Sequence, residues 1–195
     1  MRRMLAALAV IGLACAPANA MDIGQKGSAA LLSGPIKDGD EFKLRDFLAR
    51  PEAAAIRVIY LDSPGGRIYP AREMARQIRE KGLATVVDAS RARCESACTG
   101  LFVAGTRRLY INAGAIGDGD AKTKRGLGFH EGNVLHNTGR HGYSGAATSA
   151  MVNIYYEMGV PGAASLITKA EYNTMHHVSA QTALSLGIAT ALSGP

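Results

Sequence analysis

Two short stretches carry residue types capable of covalent chemistry: Ser63-Pro64-Gly65-Gly66 and Cys94-Glu95-Ser96-Ala97-Cys98. A serine at a strand-to-helix turn exposes its hydroxyl. The backbone N–H of the next residue, Ala97, then lies at a helix N-terminus, where partial positive charge favours an oxyanion. A glycine loop lets its backbone approach a substrate closely, and Gly66 stands in a loop of that kind. The hydroxyl still needs a base. His130, in Gly128-Phe129-His130-Glu131-Gly132, follows a strand and a loop, as a base brought in from a neighbouring rim would. The chemistry such a set performs is acyl transfer. Each member also has a plainer role: Ser96 as a helix N-cap, His130 as a loop histidine, the glycines as a tight turn.

Strands and helices must hold these residues in place. Residues 29–32 read as a short strand and 38–50 as a helix. Residues 56–61, Ile-Arg-Val-Ile-Tyr-Leu, form a strand by their β-branched and aromatic content, and they stop at Asp62-Ser63-Pro64-Gly65-Gly66. Over 67–81, Ile68, Ala71, Met74, Ala75 and Ile78 share one helical face, and Gly82 stands where a C-terminal cap belongs. Residues 83–87 read as a buried strand, 88–93 as a polar loop, and 94–104 as a turn running into an apolar helix. A strand at 108–111 is followed by loops over 113–128 and 131–145. Ala147, Ala150, Met151, Ile154 and Met158 mark a helix stopped by Gly159, and Ser179 caps a last one through Leu186. Alternation of this kind argues for an α/β domain with largely parallel pairing.

The chain has 195 residues, 47% apolar and 19% charged, which suits one packed domain and excludes wholesale disorder. Arg2 and Arg3, the apolar run from Met4 to Cys15, and Ala18-Asn19-Ala20 read as a secretory signal cleaved after Ala20. Residues 1–20 are then a signal peptide and 21–195 the working domain, with a periplasmic or secreted location. A retained anchor ranks second and lipid attachment at Cys15 third, and membrane contact is expected only in those two cases. Losing Arg2 and Arg3 lowers the formal net charge from +6 to +4, a weak signal, and no aromatic-and-basic platform for nucleic acid is visible. Lys122, Lys124 and Arg125 read as a solvated loop tip. No Gly-x-x-x-x-Gly-Lys-Ser/Thr loop occurs, so no nucleotide is expected. Export leaves Cys94 and Cys98 as an even pair where disulfides persist. A bridge bracing the serine turn is the first reading of this pair and free buried thiols the second. Their three-residue gap differs from the two-residue gap of thioredoxin-like sites. His176-His177, and His136 with His141, lack a carboxylate or cysteine at ligand spacing and read as solvated loops, so no metal and no cofactor are expected.

The hydrophobic strand ending in Ser-Pro-Gly-Gly, the helix and Gly82 after it, the serine turn between Cys94 and Cys98, and Phe129-His130 occur in a telling order. From about Ile56 to His130, with a weaker continuation to Thr190, the chain resembles the Clp-type serine peptidases of the wider Clp/crotonase fold, and more closely exported Clp-like proteins. The resemblance implies a single α/β domain of repeated β-β-α units and a serine hydrolase, most nearly a peptidase acting on a peptide or protein; export and the missing phosphate loop make an ATP-independent one the expectation. It implies Ser96 as nucleophile, His130 as general base, the N–H groups of Gly66 and Ala97 as oxyanion donors, and assembly into a homo-oligomer. Glu171, counted back from Ser179, falls near the family's acidic position, with Glu131 and Asn173 as alternatives for orienting the imidazole. Residues 118–127 read as an insertion before His130, which a loop absorbs at small entropic cost. The alternative function is a catalytically silent protein of this fold that binds peptides or partners. Acyl-CoA chemistry ranks third, because export separates the chain from that cofactor.

Overall fold

The computed structural model describes residues 20–119 and 123–194. The leader expected over residues 1–20 lies, except for Ala20, outside the described residues, as does Lys122.

Strands β1 (Asp22–Lys26) and β2 (Ala29–Ser33) form an antiparallel hairpin. Helix α1 (Asp40–Leu48) leads to β3 (Val58–Asp62), and α2 (Ile68–Glu80) leads to β4 (Ala84–Asp88). A short strand β5 (Arg93–Glu95) and helix α3 (Ala97–Ala104) then lead to β6 (Arg108–Ile111). Parallel neighbours cannot be joined by a tight turn, so each of these crossovers carries a helix. The resulting five-stranded sheet has the order β1-β2-β3-β4-β6, parallel from β2 to β6. The chain continues through β7 (Gly126–Phe129), β8 (Asn133–Leu135), β9 (His141–Tyr143), α4 (Gly145–Glu157), β10 (His176–His177) and α5 (Ala180–Ser185). A second, smaller sheet has β7 at its centre, parallel to β5 on one side and antiparallel to β10 on the other.

Helix α2 is amphipathic as its spacing predicts: Ala71, Met74, Ala75 and Ile78 are fully buried. Met74 and Ile78 each contribute roughly 1.5–3 kcal/mol by leaving water. Helix α3 is buried on every side, which suits its almost wholly apolar sequence. Its far end is fixed to β4, where Thr85 Oγ1 donates to Phe102 O at 2.7 Å. Tyr110 joins the two sheets, accepting from Leu127 N and donating to Val178 O. Burial pushes its phenol up to about 12, so it remains a donor.

Three stretches depart from what the sequence suggests. The stretch 113–128, read as a loop, ends in the fully buried strand β7. A Cβ on Gly126 would lie 2.3 Å from Tyr110 Oη, and one on Gly128 2.8 Å from Met175 Cγ, so both glycines serve close packing, and Gly126, at φ 82°, a left-handed backbone as well. The loop read over 131–145 contains the β8–β9 hairpin. His176-His177, read as solvated, is the strand β10, and His177 is 1% exposed.

Candidate active site

The end of β3 is fastened to β5: Ser63 N donates to Arg93 O at 2.7 Å and Glu95 N donates to Ser63 O at 3.1 Å. On the other side Ser96 N donates to Gly128 O at 2.9 Å, which anchors the same turn to β7. The chain must pass from β5 into α3 within one residue, and Ser96 does so at φ 54°, ψ −127°. Such a conformation costs a non-glycine residue about 1–3 kcal/mol and persists only where its surroundings enforce it. The Cys94–Cys98 disulfide spans the turn. Thr99 adds a second restraint, its N and Oγ1 both donating to Ser96 O. With that proton committed, Tyr155 Oη donates to Thr99 Oγ1 at 2.7 Å. Burial raises the Tyr155 phenol above its ordinary range and preserves it as a donor.

The glycine loop lies directly against this elbow. Gly65 has φ 85°, and a Cβ there would sit 2.5 Å from Glu95 O and 2.8 Å from Ala97 N. Gly66 has φ 144° and meets the backbone of Ile36, where a Cβ would sit 2.1 Å from the carbonyl oxygen. Ile36 N donates to Gly65 O and Arg67 N donates to Ile36 O, so Gly66 is held between two backbone bonds. Its own N–H and that of Ala97 donate to nothing among the described residues. A cleft of about 230 Å³ brings together Gly65, Gly66, Ser96 and His130, with Ile68, Met151 and Tyr155 on its apolar wall.

His130 follows β7 directly, and its neighbours are pinned: Glu131 N donates to Ala170 O and Gly132 N to Thr148 Oγ1. Its Nδ1 is buried with no hydrogen-bond partner among the described residues. Burial is the largest influence on the ring and lowers its pKa below the usual imidazole value. Backbone groups of Glu131 and Tyr172, short of good hydrogen-bond geometry, and the charge of Glu95 act in the opposite sense. A ring of this kind is neutral at neutral pH, the form a base needs. Among the described residues no hydrogen bond joins it to Ser96. Glu171 is exposed, with its backbone carbonyl accepting from Thr174, and its carboxylate makes no hydrogen bond to His130.

Beneath the elbow lies a pair that sequence reasoning missed. Glu95 Oε1 is 3.2 Å from His177 Nε2, both side chains are buried, and Arg93 Nη1 stands 3.4 Å from Glu95 Oε2. Glu95 is recognisable only as part of the serine motif, and nothing local announces a partner 82 residues away.

No family model and no curated protein matches the chain. Among solved structures it is similar to a serine-to-alanine mutant of the 1510-N membrane-bound stomatin-specific protease. That match has a TM-score of 0.60 and 15% identity over 85% of this chain and 77% of the other. A lysine-to-alanine mutant of that protease, in complex with a substrate peptide, gives 0.58 and 14% over 85% and 73%. Methylmalonyl CoA decarboxylase gives 0.47 and 15% over 89% and 67%. The protein has the Clp/crotonase fold, as the sequence resemblance implied.

Proposed function

We propose that the protein is an exported serine hydrolase, an ATP-independent peptidase in which Ser96 is the nucleophile and His130 the general base. The observation that carries the reading is the strained Ser96 at the head of α3, sharing one cleft with His130 and the glycine loop. His130 takes the hydroxyl proton as Ser96 Oγ attacks the scissile carbonyl. The negative oxygen that forms is received by the N–H groups of Gly66 and Ala97. The proton passes to the leaving amine, an acyl-enzyme remains, and water activated by the same histidine releases the acid. A peptide substrate is supported by the similar protease seen with one, and an oxidising location by the leader pattern together with the Cys94–Cys98 bridge. Glu171 remains the proposed acid of the set.

The test is covalent labelling of the full chain by a fluorophosphonate, which is expected to modify the native protein and not Ser96→Ala. Equal labelling of both removes Ser96 from the mechanism. A second reading, a catalytically silent peptide-binding protein, is favoured by the unpartnered Nδ1 of His130 and its lack of a bond to Ser96. Peptide binding without labelling of the native protein would establish it.

A further inference from the structure

Met21 is fully buried at the start of the fold, directly after an exposed Ala20. Its backbone nitrogen lies 3.3 Å from Asp40 Oδ2, and its carbonyl accepts from Lys43 Nζ. Asp40 is itself only 2% exposed, and the same oxygen also receives the N–H of Lys37 at 2.7 Å. A carboxylate this deeply buried is costly unless a compensating charge meets it. Two backbone amides and the N-terminal end of α1, whose first residue it is, are the partners of Asp40, and among the described residues no side-chain cation forms an ion pair with it.

We infer that Asp40 is the receptor for the α-ammonium group of a chain that begins at Met21. Cleavage after Ala20 adds water across the Ala20–Met21 amide. The water oxygen bonds to the Ala20 carbonyl carbon, the C–N bond breaks, and the departing fragment leaves as a carboxylate. Met21 nitrogen takes up the two protons released and becomes an ammonium, so water is the only co-reactant. The donor beside Asp40 thereby changes from a neutral amide to a cation, which makes the contact charge-assisted and roughly twice as strong. Because Met21 is buried, the bond to be cut is reachable only before this segment docks, so processing precedes the last step of folding.

The effect reaches the cleft through the backbone. Lys37, the other donor to Asp40, adjoins Ile36, whose N and O hold the residues on either side of Gly66. Removal of the leader therefore tightens the segment that backs the oxyanion glycine. This inference rests on the leader reading and is independent of whether Ser96 reacts.

The experiment exports the full precursor in two forms. One is native. The other carries a single glycine inserted between Ala20 and Met21, so that cleavage after Ala20 leaves the charge on the insert and an amide at Met21. The exposed Ala20 shows that a residue fits before Met21. Mass spectrometry of the native product is expected to find Met21 first. The insertion is expected to lower Tm on the order of 5 °C. Asp40→Asn should do the same in the native form, and the two changes combined should cost no more than either alone. Reductive methylation of the native α-amine should run roughly tenfold slower than that of the inserted glycine, the equivalent of one pKa unit. A native N-terminus other than Met21, an unchanged Tm on insertion, or equal loss from Asp40→Asn in both forms overturns the inference. If Asp40→Asn does not accumulate, the methylation comparison, which leaves residue 40 intact, decides alone. None of these readouts uses catalysis, so an inactive Ser96 has no bearing on the outcome.

Discussion

Replacing Gly65 by alanine tests whether the glycine loop and the serine elbow act as one part. At φ 85° a left-handed backbone costs the new side chain about 1–2 kcal/mol. Its Cβ also falls 2.5 Å from Glu95 O and 2.8 Å from both Ala97 N and Ser96 Cβ, and backbone atoms cannot swing aside as a flexible side chain can. Overpacking of this kind adds roughly 1–3 kcal/mol. Gly82 is the internal control, because it has φ 64° with nothing within 4 Å of its Cβ position and so incurs the backbone cost alone. Thermal denaturation is expected to show Gly65→Ala losing about 10 °C and Gly82→Ala about 4 °C. Relief of the clash displaces Ala97 N, the proposed oxyanion donor, of a type worth about 10²–10³ in rate. The rate of fluorophosphonate acylation should therefore fall about a hundredfold in Gly65→Ala and stay near native in Gly82→Ala. Equal Tm losses in the two variants, with both acylation rates within about threefold of native, would refute the coupling of loop and elbow.

The acid limb of the acylation pH profile should lie below about 6.5, because burial depresses the His130 pKa. The same depression makes the unfolded chain bind the proton first, so stability holds above about pH 6.5 and declines as pH falls through the folded value, which a Tm titration reads. The disulfide closes a loop of sequence separation 4. Loop entropy for so short a loop is about 2 kcal/mol, so thermal scans with reductant should show Tm lower by roughly 4–8 °C. Glu95→Gln keeps a hydrogen-bonding group beside His177 but removes the buried charge that faces it and Arg93, and is expected to cost about 1–3 kcal/mol in urea titrations. It also removes a charge that raises the His130 pKa, so the acid limb should move lower. Glu171→Gln, at an exposed position, should change stability by less than about 0.5 kcal/mol, so a slowed acylation would be chemical in origin.

The parallel sheet and the helices that flank it were legible because burial there follows local rules. The β-branched run at 58–61, the spacing of Met74 and Ile78, and Ser179 accepting from Thr182 N all declare themselves within a few residues. Strand β7 was hidden because Gly-Leu-Gly-Phe looks like a breaker sequence until Tyr110 and Met175 are seen crowding it. Strand β1, Asp-Ile-Gly-Gln-Lys, is mostly exposed and carries no apolar alternation to find. In the candidate site the serine, the histidine and the glycine loop each sit beside a strand end, which sequence can mark. The Glu95–His177 pair and the Thr99–Tyr155 bond arise only when distant segments pack, and no pattern in the chain foretells them.

Arg79 makes the geometry of the cleft answerable to its far side. Its guanidinium donates to Val103 O and Ala104 O at the end of α3 and to Met158 O just past α4. Helix α3 carries Ser96 at its opposite tip, and α4 carries Met151 and Tyr155 on the cleft wall. Eight residues of helix make a lever about 12 Å long, so a tilt of about 5° at the arginine end would move Ser96, the proposed nucleophile, by about 1 Å. Displacements of that size are enough to cost about a hundredfold in rate. The far ends of the two helices that border the cleft are thus tied together by one side chain that is not part of the cleft lining.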